Sequence, residues 1–224
     1  RHGYSGVMAR SVVSSRWLGH IAEAAGLDSV TTLTGFKWIA RAAGIAYGYE
    51  EAIGYCVLPE VVRDKDGLSA ALMVAEMAAE AKAAGTTLVG RLDELARRDG
   101  LHATSQLSIR VEDLSLIEEM MQRLRQSPPT ELTGCPVTST QDLSQGSVTT
   151  TGLPPTDGVA LLSADDTRVV VRPSGTEPKL KCYLEVVENV PAGTPQAAMA
   201  ELRGRAGERL EQLTQELREA LGQA

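Results

Sequence analysis

An α/β domain followed by an α+β domain is the fold class that this 224-residue sequence predicts, and three observations predict it. Over residues 1–100, β-rich runs alternate with helical periods, the order that layers helices on a sheet. Beyond Gly100, short β-rich runs follow one another and end in one long amphipathic helix, the pattern of an antiparallel sheet covered by helices. Aromatic residues crowd the first quarter (Tyr4, Trp17, Phe36, Trp38, Tyr47, Tyr49 and Tyr55), and only Tyr183 follows, so the two parts are built differently. Composition alone would cut the chain at Ser127 to Pro136, but the change of texture near Gly100 places the domains at 1–100 and 101–224.

Each element has its own signal. Gly6 to Val13 reads as a strand, and Ser14-Ser15 can cap a helix through Trp17, Leu18 and Ile21 that Gly26 stops. Val30 to Leu33 is a short β-rich run, Thr34-Gly35 breaks it, and Lys37 to Ala43 reads as a short helix. Ile45 to Tyr49 and Tyr55 to Leu58 are β-like pieces around Glu50-Glu51. Leu68 to Ala84 is helical and apolar almost all round, with Ser69, Glu76 and Glu80 among its polar exceptions, which predicts a mostly buried helix. Leu88 to Arg98 is a more charged helix ending at Gly100.

In the second part, Ala103 to Val111 alternates like a strand, and Leu114 to Leu124 fits a helix that Ser127-Pro128-Pro129 stops. Five β-rich runs follow: Val137 to Gln141, Val148 to Thr151, Gly158 to Leu162, Arg168 to Val171 and Leu180 to Val187. The last helix starts near Thr194-Pro195 and sets Leu202, Ala206, Leu210, Leu213, Leu217 and Leu221 on one face.

Composition excludes several function classes. With 22 basic and 29 acidic residues the net charge is −7, which argues against a nucleic-acid partner but leaves room for a local basic pocket. No run of about 18 apolar residues exists, so no helical membrane span is expected. No signal peptide is visible. Cys56, Cys135 and Cys182 are odd in number and far apart, which fits thiols in a reducing cytosol better than a disulfide or zinc framework.

Four segments carry residues suited to chemistry. In the loop Arg172-Pro173-Ser174-Gly175-Thr176-Glu177-Pro178-Lys179-Leu180-Lys181, Arg172 offers a planar fork that matches two phosphate oxygens. Ser174 and Thr176 supply hydroxyl donors, and Gly175 permits unusual φ and close approach of backbone N–H groups to an anion. Lys179 and Lys181 alternate onto one face. The pattern reads equally as a pocket for a dianionic phosphate or as an ordinary Pro/Gly hairpin. In Tyr47-Gly48-Tyr49-Glu50-Glu51-Ala52-Ile53-Gly54-Tyr55, adjacent carboxylates among aromatics suit sugar hydroxyls, a metal or proton transfer, with a solvated turn as the alternative. Thr34-Gly35-Phe36-Lys37 is a turn into a helix whose start favours anions. In Arg63-Asp64-Lys65-Asp66-Gly67, Asp66 reads as a helix cap, and the ligand pattern of a calcium loop does not follow.

Taken in order, these segments resemble the α-D-phosphohexomutases, the phosphoglucomutase and phosphomannomutase family, over nearly the whole chain. Val12-Val13-Ser14-Ser15, the TGFK turn, the GYEEA loop, the RDKDG helix start and the RPSGTEPK loop each fall where that family has a corresponding element. The resemblance implies a three-layer mixed-sheet third domain and an α+β fourth domain of a four-domain cytoplasmic enzyme. In that family a phosphoserine in the first domain donates to a sugar phosphate, a Mg²⁺ site lies in the second, and a bisphosphorylated sugar turns over before returning a phosphate. Arg172, Ser174, Gly175, Thr176 and Lys181 then match the phosphate-binding set, with Lys181 in place of the Arg of some relatives. Glu50 matches the carboxylate that receives sugar hydroxyls, and Glu51, Thr34, Gly35 and Lys65 join it as sugar-binding candidates.

Departures shape what is expected. Ala52 stands where many members have Ser, and the loop has no His, which opens a phosphopentomutase or sugar-bisphosphate synthase as alternatives. The GYEEAIG form and the RLDELARRDG helix are similar to that branch, which includes phosphopentomutases and glucose-1,6-bisphosphate synthases. Neither a Ser-His-Asn-Pro loop nor an Asp-x-Asp-x-Asp loop is present, and the chain starts at Arg1. The expectation is a C-terminal half that recognises a phosphosugar, with catalytic serine and Mg²⁺ in missing N-terminal domains. A non-catalytic phosphosugar-binding module is the reading from a different class.

Overall fold

A computed structural model describes residues 5–146 and 152–223. The chain divides into two compact units: residues 1–100 with Val190–Gln196, and Leu101–Asn189 with Ala197–Ala224.

The first unit is built on β1 (Val7–Ser11), α1 (Trp17–Ala24), β2 (Asp28–Thr32), α2 (Phe36–Ile39), β3 (Ile45–Glu50), β4 (Gly54–Cys56), α3 (Gly67–Ala83) and α4 (Leu88–Asp99). The sheet order is β2-β1-β3-β4, with β1 parallel to both β2 and β3, and β4 antiparallel to β3. That is the mixed α/β sheet expected. Its core joins Ala9, Phe36, Ile39, Ala40, Ile45 and Cys56. Gly48 sits where any side chain would strike Ile39, since a Cβ there would come 2.7 Å from the Ile39 Cγ2. The segment Val190–Gln196, which ends at the first residue of the last helix, joins this unit through α4: Arg97 donates to the Thr194 carbonyl at 3.0 Å, and Gln196 donates to buried Asp93.

Of the Ser14-Ser15 pair expected to cap α1, Ser15 Oγ accepts from the Trp17 N–H at 3.1 Å. Two local expectations change here. The helix expected over Lys37 to Ala43 is the four-residue α2. The helix expected to be mostly buried, α3, is largely exposed: Leu68 is 86% and Leu72 is 72% accessible, and Ala81 is its buried residue. An all-round apolar sequence marks no single face, so composition says nothing of which side the sheet covers. A cleft lined in part by Val57, Leu58, Leu72, Met73 and Glu76 borders α3.

The second unit holds β5 (Leu101–Arg110), α5 (Ser115–Gln126), β6 (Glu131–Leu132), β7 (Cys135–Asp142), β8 (Val159–Ser163), β9 (Arg168–Pro173), β10 (Lys179–Glu188) and α6 (Gln196–Ala220). The sheet order is β5-β10-β9-β8-β7-β6, and every pairing is antiparallel. The two-residue β6 and its Thr133-Gly134 turn carry too little pattern to read from sequence. The strand expected at Val148 to Thr151 lies outside the described residues. The buried row of α6 is Met199, Leu202, Ala206, Leu210, Leu213 and Leu217, which matches the expected apolar stripe. Glu185 is 2% exposed and held between His102 Nδ1 at 3.0 Å and Arg168 Nε at 3.3 Å. Cys182 is buried, and burial pushes its thiol up to about 12, as befits an inert core residue.

Candidate functional site

In the first unit the candidate residues gather at the end of β3. Glu50 is the last residue of β3 and pairs in register with Gly54 of β4. Only glycine fits at 54: a Cβ would lie 2.5 Å from Glu50 Cγ and 2.9 Å from the Phe36 ring. Glu50 and Phe36 are therefore packed against the same bare backbone. Lys65 completes the group, its Nζ 5.0 Å from the centre of the Phe36 ring.

Burial raises the Glu50 carboxyl above its ordinary range, the Glu51 charge adds to the rise, and Lys65 opposes it. A half-buried carboxylate held beside an aromatic ring and a lysine can accept hydrogen bonds from hydroxyls of a sugar. Asp64 accepts from the Lys65 N–H at 2.7 Å and from its Nζ at 3.1 Å, and those bonds hold its carboxyl below the usual range. Asp66 caps α3, accepting from the N–H groups of Leu68 and Ser69 at 3.0 and 3.3 Å, as its sequence position predicts.

Glu51 has a partner that sequence reading missed. Ser14, buried in the turn that follows β1, donates to Glu51 Oε2 at 2.6 Å and shares a 2.8 Å hydrogen bond with Ser11. The turn between β3 and β4 is strained at Ile53, a β-branched residue at φ 61° and 83% exposed. Gly35 ends the turn before α2 at φ 105°, a conformation that requires glycine, with Thr34 half-buried before it. Lys37 lies over the Trp38 ring at 5.7 Å. Among the described residues, no group of three His, Cys, Asp or Glu side chains could hold a metal ion.

In the second unit the loop joins β9 to β10. Arg172 is on β9, directly opposite Lys181 on β10. The Ser174 N–H donates to the Lys179 carbonyl at 2.8 Å, closing the loop, and the Val111 N–H donates to the Pro178 carbonyl at 3.1 Å, tying it to the end of β5. Ser174, Gly175 and Thr176 lie in the open part of that loop. Gly175 lies outside the left-handed region, which corrects the expected reason for it. Nothing stands within 4 Å of its missing Cβ, so it contributes an open approach to the backbone instead.

Arg172 Nε is buried without a hydrogen-bond partner among the described residues. Two like charges directly opposite on neighbouring strands repel, and a buried guanidinium nitrogen without a partner is costly. One anion at the loop would relieve both features. Arg172 and Lys181 are thus brought together by strand register, with Ser174, Gly175 and Thr176 beside them. Glu177 Oε1 accepts from Lys179 Nζ at 2.8 Å.

Residues 1–98 match the description "Phosphoglucomutase/phosphomannomutase, alpha/beta/alpha domain III", and residues 109–203 match "Phosphoglucomutase/phosphomannomutase, C-terminal domain". A Haemophilus influenzae protein named "Probable phosphomannomutase" is 41% identical over 183 residues, 82% of this chain and 36% of that protein. A Staphylococcus aureus phosphoglucomutase is 30% identical over 197 residues, covering 80% of this chain and 36% of its own length. The solved Paramecium phosphoglucomutase pp63/parafusin shares the fold at a TM-score of 0.64 and 22% identity, over 96% of this chain and 38% of that one. The chain thus spans little more than a third of the length of these relatives. It belongs to the phosphoglucomutase/phosphomannomutase family, of which it carries domain III and the C-terminal domain.

Proposed function

We infer that this chain is the recognition half of a Mg²⁺-dependent phosphosugar mutase that moves a phosphate between C1 and C6 of a hexose. The single observation that carries this reading is the pair Arg172 and Lys181, set opposite each other with Arg172 Nε buried and unpartnered among the described residues. The proposal gives Arg172, Ser174, Gly175, Thr176 and Lys181 the phosphate that is not being transferred. Glu50, supported by Glu51, Thr34, Gly35 and Lys65, takes the sugar hydroxyls.

In the parent reaction a phosphoserine oxygen–phosphorus bond breaks as a sugar hydroxyl gains the phosphoryl group and gives up its proton. The bisphosphorylated sugar then returns its other phosphate to the serine. The sugar must therefore bind in two orientations, and a fixed phosphate grip serves both. Serine donor and Mg²⁺ belong, in this proposal, to N-terminal domains outside this chain. The exposed Leu68, Leu72, Val74 and Met77 of α3 support a covering by such domains. No helix among the described residues is long and apolar enough to cross a membrane. The proposal puts the enzyme in the cytoplasm.

A second reading keeps the fold and changes the sugar. Ala52 in the β3–β4 turn removes one hydroxyl contact, which favours a pentose phosphate or a sugar-bisphosphate synthase. Incubating this chain with glucose 1-phosphate and assaying glucose 6-phosphate tests the division of labour. The expected result is binding without turnover. Robust turnover by this chain alone refutes it. Comparing kcat/KM of a full-length parent for hexose and pentose phosphates decides the sugar.

A further inference from the structure

Arg110 ends β5 directly opposite Lys179 on β10, and Lys181, two residues along, stands opposite Arg172 on β9. Residues directly opposite in an antiparallel pair share a face, as do residues two apart on one strand. Arg110, Lys179, Lys181 and Arg172 therefore occupy one face of three adjacent strands at the mouth of the loop. Two cation pairs set directly opposite each other repel, so this face favours an anion.

The loop supplies an anion of its own. Glu177 Oε1 lies 2.8 Å from Lys179 Nζ and 3.8 Å from Arg110 Nη2. The hydrogen bond from Lys179, then the charges of Lys179, Arg110 and Lys181, hold the Glu177 carboxyl below its ordinary range. Glu177 and Arg110 are both well exposed, at 44% and 69%, so either side chain can leave the other without unpacking the fold.

We propose that Arg110 is a further phosphate contact of this loop, and that Glu177 is a resident counter-ion from which Arg110 and Lys179 are transferred when a phosphate enters. This deepens the reading of the loop as a phosphate site and rests on it. Binding is then an exchange of one anion for another. A ligand with a single negative charge gains little over Glu177, whereas a phosphate dianion offers more charge and three acceptor oxygens. The carboxylate thereby biases the loop against weak anions while the site is empty.

Calorimetric titration of the 224-residue chain with inorganic phosphate and with glucose 1-phosphate, at low and fixed salt, tests the proposal. Arg110→Ala is expected to weaken both ligands by about fivefold, and Glu177→Gln to tighten both by about threefold, the scale of one partly screened charge contact. Arg91→Ala, an exposed arginine of the first unit, makes the same change in net charge and controls for it. In the double variant Arg110→Ala/Glu177→Gln, the gain from Glu177→Gln shrinks, because part of what Glu177 holds is gone. Phosphate binding by the wild-type chain with Arg110→Ala no weaker than Arg91→Ala, or with Glu177→Gln unchanged or weaker, overturns this proposal alone. Absence of binding by the wild-type chain overturns the underlying reading of the loop and this proposal with it.

Discussion

Replacing Arg172 separates binding from stability. The guanidinium presents a fork to a phosphate, and its Nε is buried without a partner among the described residues. Losing two charge-assisted hydrogen bonds costs about 2–4 kcal/mol of ligand binding. At about 1.36 kcal/mol per tenfold, Arg172→Met should raise the Kd for a hexose phosphate by about 30- to 900-fold. Arg172→Lys keeps the charge and loses the fork, so it should fall between the two.

Stability should move the other way. Arg172 faces Lys181 directly across the strands, and relieving a like-charge pair is worth about 0.2–1 kcal/mol. Methionine keeps an unbranched apolar stem in place, so packing is largely preserved. Calorimetric titration gives the Kd, and urea unfolding gives the stability. An unchanged Kd in Arg172→Met refutes the role of Arg172 as anchor. Lost binding accompanied by a comparable loss of stability refutes the reasoning too, because it assigns Arg172 to the fold.

Three other outcomes are expected. Glu185→Ala leaves His102 and Arg168 without the buried carboxylate that both contact, and should cost about 3–5 kcal/mol in urea unfolding; a cost under about 1 kcal/mol contradicts that role. Ile53→Gly relieves a β-branched residue at φ 61° and should stabilise the chain by about 0.5–1 kcal/mol, read as a higher Tm; a lower Tm means that the exposed side chain is held by something else. Glu50 is raised by burial and by Glu51, so the folded state holds its proton more tightly than the unfolded state, and stability falls as pH rises from the ordinary Glu range through the raised value. Glu50→Gln should therefore have a higher Tm than wild type at about pH 7 and no advantage near pH 3, and a wild-type advantage at neutral pH contradicts the sign.

Much of the fold was legible because local patterns and tertiary placement agree. The alternation in β5, the cap at Asp66, the stop at Gly26 and the stripe of α6 all follow from rules that act over a few residues. What was not legible depends on register or on which side faces what. Ser14 looks like a helix cap by type, but the turn after β1 aims it at Glu51, 37 residues away. Gly54 looks like one more turn glycine until the Glu50 and Phe36 side chains are seen to fill the space of its Cβ. Arg110 stands in an alternating strand, and only the pairing of β5 with β10 brings it to Glu177. The apolar composition of α3 was plain, whereas its exposure was not, because apolar sequence records affinity for a neighbour and not the neighbour's position.

The candidate residues of the loop were legible for a different reason. Arg, Ser, Gly and Thr within five positions are close enough for a single turn to gather them. Glu50 and Lys65 are fifteen positions apart, and their approach depends on β4 returning alongside β3.

The most direct measurement of the central claim, that this chain recognises both the sugar and its phosphate, is calorimetric titration of the 224-residue protein with glucose 6-phosphate, glucose 1-phosphate and inorganic phosphate in competition. Both sugar phosphates should bind, inorganic phosphate should compete with each, and each should bind more tightly than inorganic phosphate by a margin that Glu50→Gln reduces. No binding of any of the three, or binding of inorganic phosphate as tight as that of the sugar phosphates, would contradict it.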